Sequence, residues 1–81
     1  MEQVEVSERI DVLASFKKGG IKPVIFKWNG RNIKIDSINL KYSYSYGDVD
    51  YHCFSVSAGD TAYRICLNGK TLVWRLEEVF S

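Results

Sequence analysis

The sequence predicts an all-β domain, and three observations carry that reading. Apolar and polar residues alternate with period two through most of the chain. Gly-containing turn pairs, Asn29-Gly30, Gly59-Asp60 and Asn68-Gly69, separate the alternating runs. No long amphipathic helix is present to cover a sheet, so a single sheet must curl on itself to hide its apolar face.

In the first run, Val4, Val6, Ile10, Val12, Ala14 and Phe16 share one parity, with only Glu8 off pattern. This favours a long strand over the helix that Ile10, Leu13 and Ala14 would also permit within Ser7 to Lys18. Lys17-Lys18-Gly19-Gly20 breaks the run, with Gly-Gly as the expected turn, and Pro23 suits the start of the next strand. A type I′ turn at Asn29-Gly30 puts Trp28 opposite Arg31, Phe26 opposite Ile33 and Val24 opposite Ile35, so the apolar residues meet on one face. The strand from Arg31 is expected to run on to Tyr46. Its parity switches between Ile35 and Ile38, which calls for a β-bulge near Asp36-Ser37. Beyond it, Ile38, Leu40, Tyr42, Tyr44 and Tyr46 are expected on the core side. That requires a three-residue loop, Gly47-Asp48-Val49, to set Tyr42 against Phe54.

Gly59-Asp60 as a turn sets Val56 against Tyr63 and Phe54 against Ile65. Asn68-Gly69 as a turn sets Ile65 against Leu72 and Tyr63 against Trp74. The two agree on an inner face of Phe54, Val56, Tyr63, Ile65, Leu72, Trp74 and Leu76. The tail from Leu76 to Phe80 reads either as a short helical turn or as a continuation of the last strand. The expected architecture is a six-stranded antiparallel meander curled into a small barrel or roll. Its first strand pairs with the second and closes toward the last, and an unpaired first or last edge would allow an edge-strand dimer in place of a monomer.

The chain of 81 residues is one small domain, 1–81, that buries only about 60% of its unfolded surface. A hydrophobic share of 46% excludes disorder, and a net charge of +1 gives no global pull toward nucleic acid or anionic membranes. Met1-Glu2-Gln3-Val4-Glu5 lacks the basic start and apolar stretch of a signal peptide, and no apolar run has the length of a membrane span. The default expectation is a cytoplasmic protein without membrane association. Two cysteines and one histidine are too few for a closed zinc site, and no glycine-rich phosphate loop is present, so neither metal nor cofactor is expected.

The Gly59-Asp60 register places Cys53 directly opposite Cys66, at a non-hydrogen-bonded pair within disulfide range. They form a candidate redox pair on the face away from the core, expected partly accessible beside Tyr51 and Ser55. A cytosolic setting favours two reduced thiols there, joined only on oxidation. His52, on the core parity beside Tyr44, reads as a packed residue rather than a catalyst, since no carboxylate or nucleophile can be placed beside it. No catalytic residue is assigned and an enzyme is not expected. Lys27, Lys34, Lys41, Arg64 and Arg75 take the outer parity of their strands and Tyr51 joins them. Cations and flat rings on one sheet face form a candidate surface for single-stranded nucleic acid, although an ordinary solvated face reads the same way. Trp28 and Arg31 are placed for a cation–π pair at a hairpin tip.

The segment Lys22-Pro23-Val24-Ile25-Phe26-Lys27-Trp28-Asn29-Gly30-Arg31, preceded by Gly19-Gly20-Ile21 and followed at the end of the chain by Trp74-Arg75-Leu76-Glu77-Glu78-Val79-Phe80, resembles a family of small bacterial all-β proteins, a domain of unknown function. In that family a Pro-x-x-Phe-x-Trp-x-Gly-Arg segment precedes a strand; here Asn32-Ile33 replaces the Arg-Tyr or Thr-Tyr that often follows it. A similar actinobacterial domain, related to a tail on translesion-polymerase-like proteins, implies a link to DNA metabolism and assigns no active residue. The function expected from the sequence is a non-enzymatic binding module for a protein partner, with single-stranded nucleic-acid binding as the alternative.

Overall fold

The computed structural model describes residues 2–81. The fold is all-β. Among the described residues, seven strands form one antiparallel sheet: β1 (Gln3–Lys17), β2 (Gly20–Trp28), β3 (Arg31–Lys34), β4 (Ser37–Tyr46), β5 (Val49–Ala58), β6 (Thr61–Asn68) and β7 (Trp74–Phe80). Their order across the sheet is β3-β2-β1-β7-β6-β5-β4. The sheet curls into an open half-barrel. β1 is its spine: residues up to Ile10 pair with β7, and residues from Asp11 onward pair with β2. The tail continues as strand β7, and β1 is strand throughout.

The meander therefore has seven strands rather than six. At Ile35-Asp36 the chain leaves one part of the sheet for another: the Ile35 N–H donates to the Val24 carbonyl, 2.9 Å, and the Asp36 N–H to the Ser57 carbonyl, 2.8 Å. The parity switch foreseen as a bulge at Asp36-Ser37 is thus a break that splits one long run into β3 and β4. The Asp36 carboxylate accepts the Gly59 N–H at 2.7 Å and holds the break against the β5–β6 turn.

Two hairpins have the registers expected of them. Trp28 pairs with Arg31 and Phe26 with Ile33, around Asn29 (φ 52°) and Gly30 (φ 73°), both in the left-handed region that a type I′ turn needs. Val56 pairs with Tyr63, Phe54 with Ile65 and Cys53 with Cys66 across Gly59-Asp60.

Elsewhere the turns differ. Lys17 pairs with Gly20, so the first loop is Lys18-Gly19 and not Gly19-Gly20. Pro23 lies inside β2 rather than at its start, buried opposite Ala14 beside a register shift, the kind of irregularity at which strands accept proline. The loop after Asn68 runs to Val73, because the Asn68 side-chain oxygen accepts the Lys70 and Thr71 N–H groups at 2.9 and 3.0 Å and carries the chain past a tight turn. Ile65 consequently faces Leu76 and Leu67 faces Trp74. Leu72, expected inside, is 67% exposed in the loop. The other six residues of the expected inner face are buried.

The core lies on the concave side. Phe26 and Tyr63 meet edge to face at 5.1 Å between ring centroids, and Phe54 tilts against Trp74 at 5.8 Å. Trp28 packs edge-on against Tyr63 at 6.4 Å, with its buried indole N–H unpartnered.

Candidate binding edge along β4

β4 owes its character to one residue. Ile38 pairs with Val56 and Leu40 with Ser55, which leaves Asn39 as the extra residue of a bulge. Its amide is held from both sides, accepting from the Ser37 hydroxyl at 3.1 Å and donating to the Ser57 hydroxyl at 2.7 Å. Every later residue of β4 then changes face. Tyr42 lies opposite Cys53 rather than Phe54, and Gly47-Asp48 closes as a two-residue loop between Tyr46 and Val49, with Gly47 at φ 64°. The expected three-residue loop and core-facing tyrosines are both corrected by this bulge.

Leu40, Tyr42, Tyr44 and Tyr46 therefore point to the convex face. Tyr44 stacks on Tyr51, with centroids 5.0 Å apart and planes 18° from parallel. Burial, and then the Glu77 carboxylate nearby, push the Tyr44 hydroxyl above its ordinary pKa. Leu40, Tyr44 and Tyr46 are nevertheless 56%, 46% and 78% exposed.

The far side of β4 is unpaired. Among the described residues its backbone ladder runs only to β5. Tyr46 and Val49 flank a two-residue loop and so form a hydrogen-bonded pair. Alternation then turns the N–H groups of Lys41, Ser43 and Ser45 outward along the free edge. The opposite edge of the sheet, β3, is four residues long and bears Arg31 and Lys34. β1 pairs with β2 and closes onto β7, as expected, so neither the first nor the last strand is a free edge.

The convex face beside β4 holds the cysteines. Cys53 and Cys66 are joined by a disulfide with Cα atoms 4.1 Å apart. The β5–β6 register sets them opposite one another, as the Gly59-Asp60 turn predicts. Both are buried, at 0% and 4% exposure, not partly accessible, since Tyr42 and Arg75 flank them on the neighbouring strands.

The proposed nucleic-acid residues do not converge. Arg64 donates to Glu78 at 2.6 Å and reaches the Tyr42 hydroxyl at 3.5 Å. Partial burial disfavours its charge, but the hydrogen bonds to Tyr42 and Glu78 outweigh this and raise its pKa. Glu78 also accepts from Gln3. Arg75 donates to the backbone carbonyl of Ser7 and to its hydroxyl and lies 3.8 Å from Glu77. Lys27 and Lys34 sit on the β2–β3 hairpin. Lys41 is turned to the concave side by the Asn39 bulge, opposite Phe54, with its Nζ 5.9 Å from that ring centroid. Tyr51 is in the tyrosine stack. The Trp28–Arg31 pair is a cross-strand neighbour pair, with the indole committed to Tyr63.

His52 faces Ser43, not Tyr44, and its Nδ1 lies 3.0 Å from the Ser43 hydroxyl. Its other nitrogen borders Gly69, where an added Cβ would come within 3.4 Å of it.

Sequence reasoning missed a cluster at the mouth of the half-barrel. A cleft of about 360 Å³ between the β1–β2 hairpin and β4 is lined by Ser15, Lys17, Lys22, Ile38 and Lys41. Lys22 pairs across the hairpin with Ser15, a register that follows from the Lys18-Gly19 loop and not from the expected Gly19-Gly20 turn. Lys41 arrives through the Asn39 bulge, which turns it to the concave side, and the curl of the sheet.

Comparisons with known proteins find no matching family model, no similar curated protein and no similar solved structure.

Proposed function

We propose that this chain is a strand-acceptor module, a small half-barrel that takes up an extended segment of another polypeptide along β4. The observation that carries the reading is the free edge itself. It is ten residues long, without proline and with one lysine, and its exposed Leu40, Tyr44 and Tyr46 stand on the face beside it. Proteins blunt such edges by shortening or charging them, as at β3, unless something is meant to pair with them. A strand added to β4 gains affinity from main-chain hydrogen bonds and selectivity from alternate side chains. No carboxylate on β4 answers its lysine, so a second β4 is a poor complement and a different chain a better one.

The test is a displayed library of random peptides matched in length to β4. Selected peptides are expected to slow amide exchange at Lys41, Ser43 and Ser45 and to lose binding to Ser43→Pro. Proline at that position removes an outward N–H without breaking the β5 ladder. Peptides mapping to another face, or self-association of the chain through β4, would overturn the reading. So would saturable, salt-dependent binding of a single-stranded oligonucleotide at Arg64 and Arg75, which would restore the nucleic-acid alternative.

A further inference from the structure

Resting on that reading of β4, we propose that the segment it accepts is acidic, with an Asp or Glu side chain docked among Lys17, Lys22 and Lys41 at the mouth of the half-barrel. The cleft lies where an added strand must pass, between the free side of β4 and the tip of the β1–β2 hairpin. Lys41 bridges this gap. Its Nζ lies over Phe54, and a Cβ added at Gly20 on the facing hairpin would stand only 2.8 Å from it. Lys17 and Lys22 line the same cleft, together with the Ser15 hydroxyl.

None of these three cations has an ion-pair partner among the described residues. Among the described residues the ion pairs are Arg64–Glu78, Lys70–Asp48 and Arg75–Glu77, and none involves the mouth lysines. Asp36 shares the adjoining cleft with Lys17 and Lys22, but it accepts the Gly59 N–H and forms no ion pair with either lysine. The chain as a whole carries a net charge of only +1, so this concentration of one sign is local. Like charges gathered at a half-enclosed mouth focus the field there and favour an anion entering it. Ile38 and Ile21 supply an apolar wall, which suits a carboxylate carried on a short aliphatic stem.

Three soluble peptides that alternate Thr with Glu, Gln or Lys provide the experiment, with binding followed by NMR shifts and amide exchange. The Glu peptide is expected to bind about tenfold more tightly than the Gln peptide at low salt, with the gap narrowing as salt rises. Lys22→Gln with Lys41→Gln should abolish the gap. Lys22→Glu with Lys41→Glu should reverse the preference toward the Lys peptide, which shows that the variant is folded and competent. Equal binding of the Glu and Gln peptides along β4 overturns the acidic selectivity and leaves the strand-acceptor reading standing. Failure of all three peptides to protect Ser43 and Ser45 overturns both. Inorganic phosphate or an oligonucleotide that shifts the mouth lysines, while the Glu peptide does not, would assign the site to a phosphate ligand and overturn the proposal.

Discussion

β4 and β5 lie side by side, run for ten residues each and show similar alternation, yet one is sealed and the other bare. Phe54 and Val56 on β5 are wholly buried, while Tyr46 on β4 is 78% exposed. Composition does not separate the strands. β5 has a neighbour on each side, and on its inner face Phe54 lies opposite Ile65 of β6 and packs on Trp74 of β7. β4 has one neighbour, and its bulge turns the tyrosines away from the core. Burial in a sheet this small comes from the second neighbour.

The largest expected effect tests that statement directly. Phe54→Ala should cost about 3–5 kcal/mol in urea denaturation, through lost burial and the cavity left beside Trp74. Tyr46→Ala should stay within about 0.5 kcal/mol of the parent. A cost for Tyr46→Ala approaching that of Phe54→Ala would mean that β4 is covered in solution, and the contrast between the strands would fail.

The same contrast explains what was legible in the sequence. A two-residue loop fixes parity on both sides where no bulge intervenes. The Asn29-Gly30 and Gly59-Asp60 hairpins thus have the registers their turns predict, while Gly47-Asp48, a loop of the same length, is hidden by the bulge upstream of it. The Asn68 loop is longer than expected, but its shift is even. Ile65, Trp74 and Leu76 kept their face, and only Leu72 left it. Bulges leave no such mark. Asn39 is one polar residue in a polar-apolar alternation, and nothing local says that it is the extra one. Moving the parity break from there to Asp36-Ser37 inverted every tyrosine of β4 and forced a false three-residue loop. The mouth of lysines escaped for the same reason and one more, since the bulge turns Lys41 to the concave side and only the curl of the sheet brings it to the β1–β2 hairpin.

The next effect in size concerns the bond that locks β5 to β6. Replacing Cys53 and Cys66 together by Ala should cost about 2–3 kcal/mol, because the bridge closes a loop with a sequence separation of 13. Alkylation followed by mass spectrometry should find no reactive thiol in the folded protein before reduction. Free thiols that alkylate at once would remove the bond from this account. Denaturation of the reduced parent should match that of the double variant. Reduction should also leave amide exchange in β4 nearly unchanged if the two strands are as independent as their burial implies.

The smallest effect probes the loop that ties β4 to the rest. Asp48, in the β4–β5 turn, accepts from the Lys70 ammonium in the β6–β7 loop at 2.7 Å. That hydrogen bond, and then one to the backbone, hold the Asp48 carboxyl below its ordinary 3.8. A depressed carboxyl contributes stability that is present above its unfolded pKa and is lost as pH falls through the lower folded value. Both side chains are well exposed, so the denaturation midpoint at neutral pH should not move measurably when Lys70 becomes Met. The site-specific signal should. Carbon NMR titration should place Asp48 below the usual carboxylate range in the parent and return it toward 3.8 in Lys70→Met. Amide exchange should quicken at Gly47 and Asp48 and stay unchanged at Gly59 and Asp60, whose turn is held by Asp36. Faster exchange along the whole of β4 would show that the bare strand leans on this loop contact. Its order would then depend on Lys70 and not on the β5 ladder alone.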